Sequence, residues 1–138
     1  MTRFLLDSGI AGLYLDEKRG VYERAEAETA KGNRIGIAGP VLSELVFRAE
    51  GSPQRDRNIR RLQKALVAEW RLWLASEEVA FEYGKLAFEL KRIGRALGQN
   101  DITIAAIART LPNCVVVTMD ADFSGVPGLR VENWAEDV

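Results

Sequence analysis

Two short apolar runs constrain this chain more than anything else in it. Arg3-Phe4-Leu5-Leu6, mostly apolar, sits near the start and Cys114-Val115-Val116-Val117 near the end. Each is too short for a helix, lacks an alternating polar face, and stops at a turn that carries an acid. Runs of this kind are strands buried on both faces. The first delivers Asp7, followed by the small-residue turn Ser8-Gly9. The last delivers Asp120 within three residues of its end.

The stretches between alternate in period. Arg34-Ile35-Gly36-Ile37-Ala38 reads as a second strand and Leu129-Arg130-Val131-Glu132 as a fifth, at an edge. Arg71-Leu72-Trp73-Leu74 reads either as a third strand or as continuation of the helix before it. Helices are expected from about Ile10 to Leu15, Val21 to Ala30, Pro40 to Glu50, Gln54 to Trp70, Ser76 to Ile93, and Asn100 onward. Pro40 suits a first helical turn, and Ser76 with Glu77 and Glu78 reads as a cap followed by acids. Val79, Tyr83, Leu86, Leu90 and Ile93 recur in steps of four and three, one helical stripe. Ile102 to Ala108 is apolar almost all round, hence a buried helix.

Strands alternating with helices imply an α/β fold with a mostly parallel sheet between two helical layers. Right-handed crossovers and the order 3-2-1-4-5 put the first and fourth strands together at the switch point, where such folds bind ligands. The 138 residues are one domain's worth, and residues 1–138 are read as a single domain. No stretch has the roughly 20 apolar residues of a membrane helix, and the N-terminal apolar run is too short for a signal peptide. The expected location is cytoplasmic, with no membrane partner.

Composition matters mainly for what it removes. There is no histidine and one cysteine, Cys114. That excludes a Ser-His-Asp triad, a Cys-His pair, a histidine general base and an internal disulfide, and it argues against zinc. Chemistry must come from carboxylates, hydroxyls, lysines, arginines or an oxygen-liganded metal. The net charge of −1 argues against a purely electrostatic nucleic-acid binder.

Four acids reach one rim on this topology. Asp7 and Asp120 follow neighbouring strands. Asp101 opens the helix leading into the fourth strand, and Glu44 lies in the first turns of the helix after the second. Helices antiparallel to the strands begin at the strands' C-terminal edge, so all four share it. Close carboxylates raise one another's pKa, and a hard divalent cation resolves the conflict. Each acid also has a plainer reading: Asp7 as a helix cap, Glu44 paired with Arg48, Asp101 as a first-turn charge, Asp120 and Asp122 as turn formers. Asp122 is a further candidate ligand beside Asp120. The basic run Arg55 to Lys64 is either a solvated helix face or a phosphate contact.

Several blocks resemble a known family. Phe4-Leu5-Leu6-Asp7-Ser8 is similar to the opening strand and first acid of PIN domains, and Pro40-Val41-Leu42-Ser43-Glu44-Leu45 to their second-acid helix. Asn100-Asp101-Ile102-Thr103-Ile104-Ala105-Ala106 resembles the family's most recognisable block. Val117-Thr118-Met119-Asp120-Ala121-Asp122-Phe123 and Val126 to Trp134 resemble its C-terminal signature. The ordered set resembles the VapC-type toxins of bacterial and archaeal toxin–antitoxin pairs.

The resemblance implies a Mg²⁺- or Mn²⁺-dependent endoribonuclease with a PIN-like three-layer α/β/α fold, neutralised by a VapB-type antitoxin and usually a homodimer. Operator DNA would be bound only through the antitoxin. Asp7, Glu44, Asp101 and Asp120 match the family's acidic positions. Ser8 and Thr118, hydroxyls in the same motifs, are expected to position substrate; no organic cofactor is expected. One departure stands out: Gly9 occupies a position that is often Asn, removing a polar group that would orient a metal's water. Phe81, Phe88 and Trp70 or Trp73 are the candidate dimer surface. Two further readings remain open: a PIN domain that only binds RNA or antitoxin, and a Mg²⁺-dependent phosphohydrolase or receiver-like domain phosphorylated on Asp7. Gly9 and Met119 do not supply the acids the last would want.

Overall fold

The two apolar runs lie side by side at the centre of the sheet. In a computed structural model that describes residues 1–137, β1 (Arg3–Leu6) pairs in parallel with β4 (Cys114–Val117), Leu6 opposite Val117. On the other flank β1 pairs with β2 (Arg34–Ala38), and β2 with β3 (Arg71–Trp73). β5 (Arg130–Glu132) closes the far edge beside β4. The five strands run in the order β3-β2-β1-β4-β5, and every pairing is parallel. Parallel strands need helical crossovers, so both faces are covered and the central strands carry no polar alternation. The side chains of Leu5, Leu6, Ile37 and Val115 to Val117 are almost wholly shielded from solvent.

The helices are α1 (Ser8–Asp16), α2 (Val21–Ala30), α3 (Gly39–Glu50), α4 (Arg55–Ala68), α5 (Glu77–Arg92) and α6 (Gln99–Thr110). Their ends follow local chemistry. Ser76 caps α5, its hydroxyl accepting from Val79 N at 3.2 Å. Gly94, in the left-handed region at φ 73°, stops α5 before Ile93 can extend the buried stripe, leaving that side chain exposed. α6 is buried from Ile104 to Ala108, as its apolar circumference requires. Arg109, near its end, reaches Glu82 at 2.7 Å and Glu89 at 3.1 Å on α5, joining the two helices.

Two expectations resolve or change. Residues 71–73 form a strand because Gly36 admits it: a Cβ there would overlap the Arg71 carbonyl and sit 2.7 Å from the Trp73 ring. Trp70 is not an interface residue. The preceding helix ends at Ala68, the Trp70 N–H turns back to Ala65 O at 2.7 Å, and the ring tilts against Tyr14 with centroids 5.1 Å apart. Only 4% of Trp70 is exposed, its indole lying in the core beside Tyr14. Cys114 is a core thiol, and burial pushes its pKa up to about 12.

Candidate active site

The C-terminal edge of the parallel sheet carries the four acids. Asp7 leaves β1 with extended backbone and caps α1, its Oδ1 accepting from Ile10 N at 3.0 Å. The cap expected of Asp7 therefore forms, and it occupies only one of the two carboxylate oxygens. Its Oδ2 accepts from the Thr118 hydroxyl, and the same hydroxyl accepts from Asp120 N at 2.9 Å. Thr118 thus clamps the ends of β1 and β4 together. It is 2% exposed, so its hydroxyl serves the acids and is not free for substrate, contrary to its expected positioning role.

Asp120 caps the 3-10 segment Ala121–Gly125, its Oδ1 accepting from Asp122 N at 2.9 Å. Asp101 is half-buried in the first turn of α6. Glu44 is exposed in α3, with Arg48 Nη2 at 3.7 Å, so its helix-surface pair forms as well. Ser8 opens α1 beside Asp7, and its carbonyl accepts from Arg48 Nη2 at 3.5 Å.

These groups feel one another. Asp7 titrates above the ordinary value of 3.8: burial is the largest cause, the Ile10 and Thr118 bonds oppose it, and the charges of Asp120 and Glu44 add to it. Asp101 is raised as well, first by burial, then by Asp120, Asp7, Glu44 and Asp122. The rim therefore concentrates negative charge from four separate segments, offset at Glu44 by Arg48. It does not form a closed cage: among the described residues no three acid, cysteine or histidine groups converge tightly enough to enclose an ion. The expected four close carboxylates are corrected to four acids on an open rim, three of the candidates (Glu44, Asp120 and Asp122) being exposed. The donors are hard oxygens with free lone pairs. Mg²⁺ is commonly held by one or two carboxylates with the rest of its shell water, so this set fits a hard divalent ion without a cage.

A different cavity, of about 430 Å³, opens at the opposite edge between Asn33, Arg34, Glu69, Trp70 and Arg71, and none of the acids lines it. The basic run is partly neutralised: Arg55 meets Glu50 at 2.8 Å and Asp56 at 2.9 Å, and Arg61 meets Asp16 at 2.8 Å and the Leu15 carbonyl.

Three neighbours of the rim carry no signal in the sequence. A Cβ on Gly9 would lie 3.1 Å from Met119 Cε, so the methionine methyl occupies the space beside the glycine. Arg19, in the left-handed region at φ 56°, reaches Met119 Sδ at 3.5 Å. Arg95 donates to Asp122 O at 3.0 Å. Their relation to the acids exists only across elements distant in sequence.

A family model described as "PIN domain" matches residues 4–129. Ribonuclease VapC2 of Rickettsia felis is 28% identical over 95% of this chain and 97% of its own length. The tRNA(fMet)-specific endonuclease VapC of Shigella flexneri is 30% identical over 98% of this chain and 100% of its own. Among solved structures, VapBC2 from Rickettsia felis bound to a DNA fragment from its promoter superposes with a TM-score of 0.86 at 30% identity. That match covers 96% of this chain and 99% of the other.

Proposed function

This chain belongs to the PIN domain family, among its VapC ribonucleases, and on that footing we propose that it is a metal-dependent endoribonuclease toxin held in check by a VapB-type antitoxin. It acts as a single domain over residues 1–138. The observation that carries the reading is that Asp7, Glu44, Asp101 and Asp120, from four separate segments, stand on one rim at the C-terminal edge of the sheet, in a chain with no histidine.

In this reading Asp7 and Asp101 hold Mg²⁺ or Mn²⁺, with Asp120, Glu44 and Asp122 contributing directly or through water. The ion supplies Lewis-acid activation of water and of the RNA phosphodiester. The protein's own part is orientation. The Ile10 N–H and Thr118 hydroxyl fix both oxygens of Asp7, and the Asp122 N–H fixes Asp120. Bonds of this kind set how well acids bind a metal. Ser8 stands next to Asp7 at the rim and is the hydroxyl available to an RNA oxygen.

The partner is a VapB-type antitoxin, as in the toxin–antitoxin complexes that share this fold, and operator DNA is reached through it. The absence of a closed acid cage is the one observation that favours a binding-only PIN domain. Incubating purified protein with RNA in Mn²⁺ and in EDTA separates the two; initiator tRNA is the first substrate to try, from the activity named for the Shigella flexneri relative. Cleavage in Mn²⁺, none in EDTA and none with Asp101→Asn is the expected pattern. Cleavage that persists in EDTA overturns the metal mechanism, and RNA bound but uncut by folded wild type leaves the binding module.

A further inference from the structure

A rim of acids that takes a metal at the scissile phosphate offers nothing to the phosphates on either side of it, and a free cation beside the rim would hold them. Arg95 is placed to do this. The turn at Gly94 ends α5, and Arg95 N donates back to Leu90 O at 2.9 Å, which sends the side chain across the 3-10 segment after Asp120. Its Nη2 donates to Asp122 O at 3.0 Å, the one hydrogen bond of that side chain among the described residues. The guanidinium occupies the space beside Gly125, where any Cβ would overlap it. A carbonyl neutralises no charge, and four of the five N–H donors stay free in a fixed fork, the geometry that suits phosphate. Arg48, on the other flank, is by contrast paired with Glu44 at 3.7 Å.

We propose that Arg95, seated on Gly125 and Asp122, binds an RNA phosphate beside the scissile bond. This rests on the reading of the rim as an RNA-cutting site. Gly125 matters as the seat: it does not sit in the left-handed region, so alanine meets no backbone strain there and only the arginine must move.

The test is fluorescence anisotropy of a labelled single-stranded RNA on the non-cleaving Asp101→Asn protein in Mn²⁺, at several salt concentrations. Arg95→Ala, Arg95→Lys, Gly125→Ala and Arg34→Ala are compared in that background. Arg34 lies at the start of β2, on the opposite edge of the sheet, and controls for loss of one charge. Arg95→Ala is expected to weaken RNA about tenfold and to lower the salt slope by about 0.7, one phosphate's worth for a single strand. Gly125→Ala is expected to weaken it too, although the charge is retained, and Arg95→Lys to restore part of the loss. In wild-type background the same changes should raise KM with kcat retained.

Equal affinities for Arg95→Ala and Arg34→Ala would overturn the proposal. So would an unaltered Gly125→Ala, since a generic surface charge needs no seat. Failure of wild type to cleave any RNA, with the binding pattern intact, would overturn the nuclease reading and leave the phosphate contact standing. Unchanged melting temperatures establish that each variant is folded.

Discussion

Replacing Thr118 by valine tests the joint between β1 and β4. Valine keeps the shape of a residue that is 2% exposed and removes one hydroxyl. That hydroxyl donates to Asp7 Oδ2 and accepts from Asp120 N at 2.9 Å. The Asp120 end is exposed, so water replaces its bond at little loss. The Asp7 end is half-buried, and a hydrogen bond to a charged group there contributes about 1.5–3 kcal/mol. About 2 kcal/mol should be lost, which for a chain of this size lowers Tm by about 6–10 °C.

The same bond lowers the Asp7 pKa against burial, so its loss lets that pKa climb further. Metal binding at fixed pH should then weaken by about 10–100-fold, the usual effect of losing a partner behind a ligand. Differential scanning fluorimetry in EDTA reads the stability, and a Mn²⁺ titration of Tm reads the affinity. Thr118→Ser keeps the hydroxyl and should recover most of the metal affinity. A Thr118→Val protein with unchanged Tm and unchanged metal requirement would refute the role given to this residue.

Two further outcomes follow from the same structure. Asp7 and Asp101 both titrate above 3.8, so in metal-free protein their ionisation is less favourable folded than unfolded. Their contribution to stability therefore falls as pH rises from about 3.8 through the raised folded values, then levels off. In EDTA the Tm of Asp101→Asn minus that of wild type should grow across this window. Saturating Mn²⁺ should stabilise wild type, by about 2.7 kcal/mol at a hundredfold excess over Kd, and the variant far less; no metal shift in wild type would count against the site. Phe81 and Phe88, spaced seven residues apart on α5, are 70% and 61% exposed, an unusual presentation for two aromatic side chains. Replacing both by glutamate should convert an oligomer to a monomer by light scattering with Tm little changed, and an unaltered mass would move the interface elsewhere.

Much of the architecture was legible because it is periodic and local. The bounds of β1, α2, β2 and β4 follow directly from apolar runs and their punctuation. So does the Ser76 cap, because capping is chemistry between residues three apart. The placement of the acids was legible for a related reason. Parallel topology sends every strand end and every following helix start to one edge, so Asp7, Glu44, Asp101 and Asp120 had to share a rim.

What the sequence could not decide were contacts between segments with no local relation. The strand at residues 71–73 depends on Gly36 in a neighbouring strand, and Trp70 is core rather than interface because it packs against Tyr14 of α1. Thr118 looked like a substrate contact beside an acid. Only the juxtaposition of β1 with β4, 111 residues apart in the chain, shows its hydroxyl to be committed to Asp7. The seat of Arg95 on Gly125 and the methyl of Met119 beside Gly9 belong to the same class. Strand ends and helix starts, readable along the chain, set which groups reach the rim. The tertiary structure alone decided which of their atoms remain free, because that depends on side-chain contacts across the switch point.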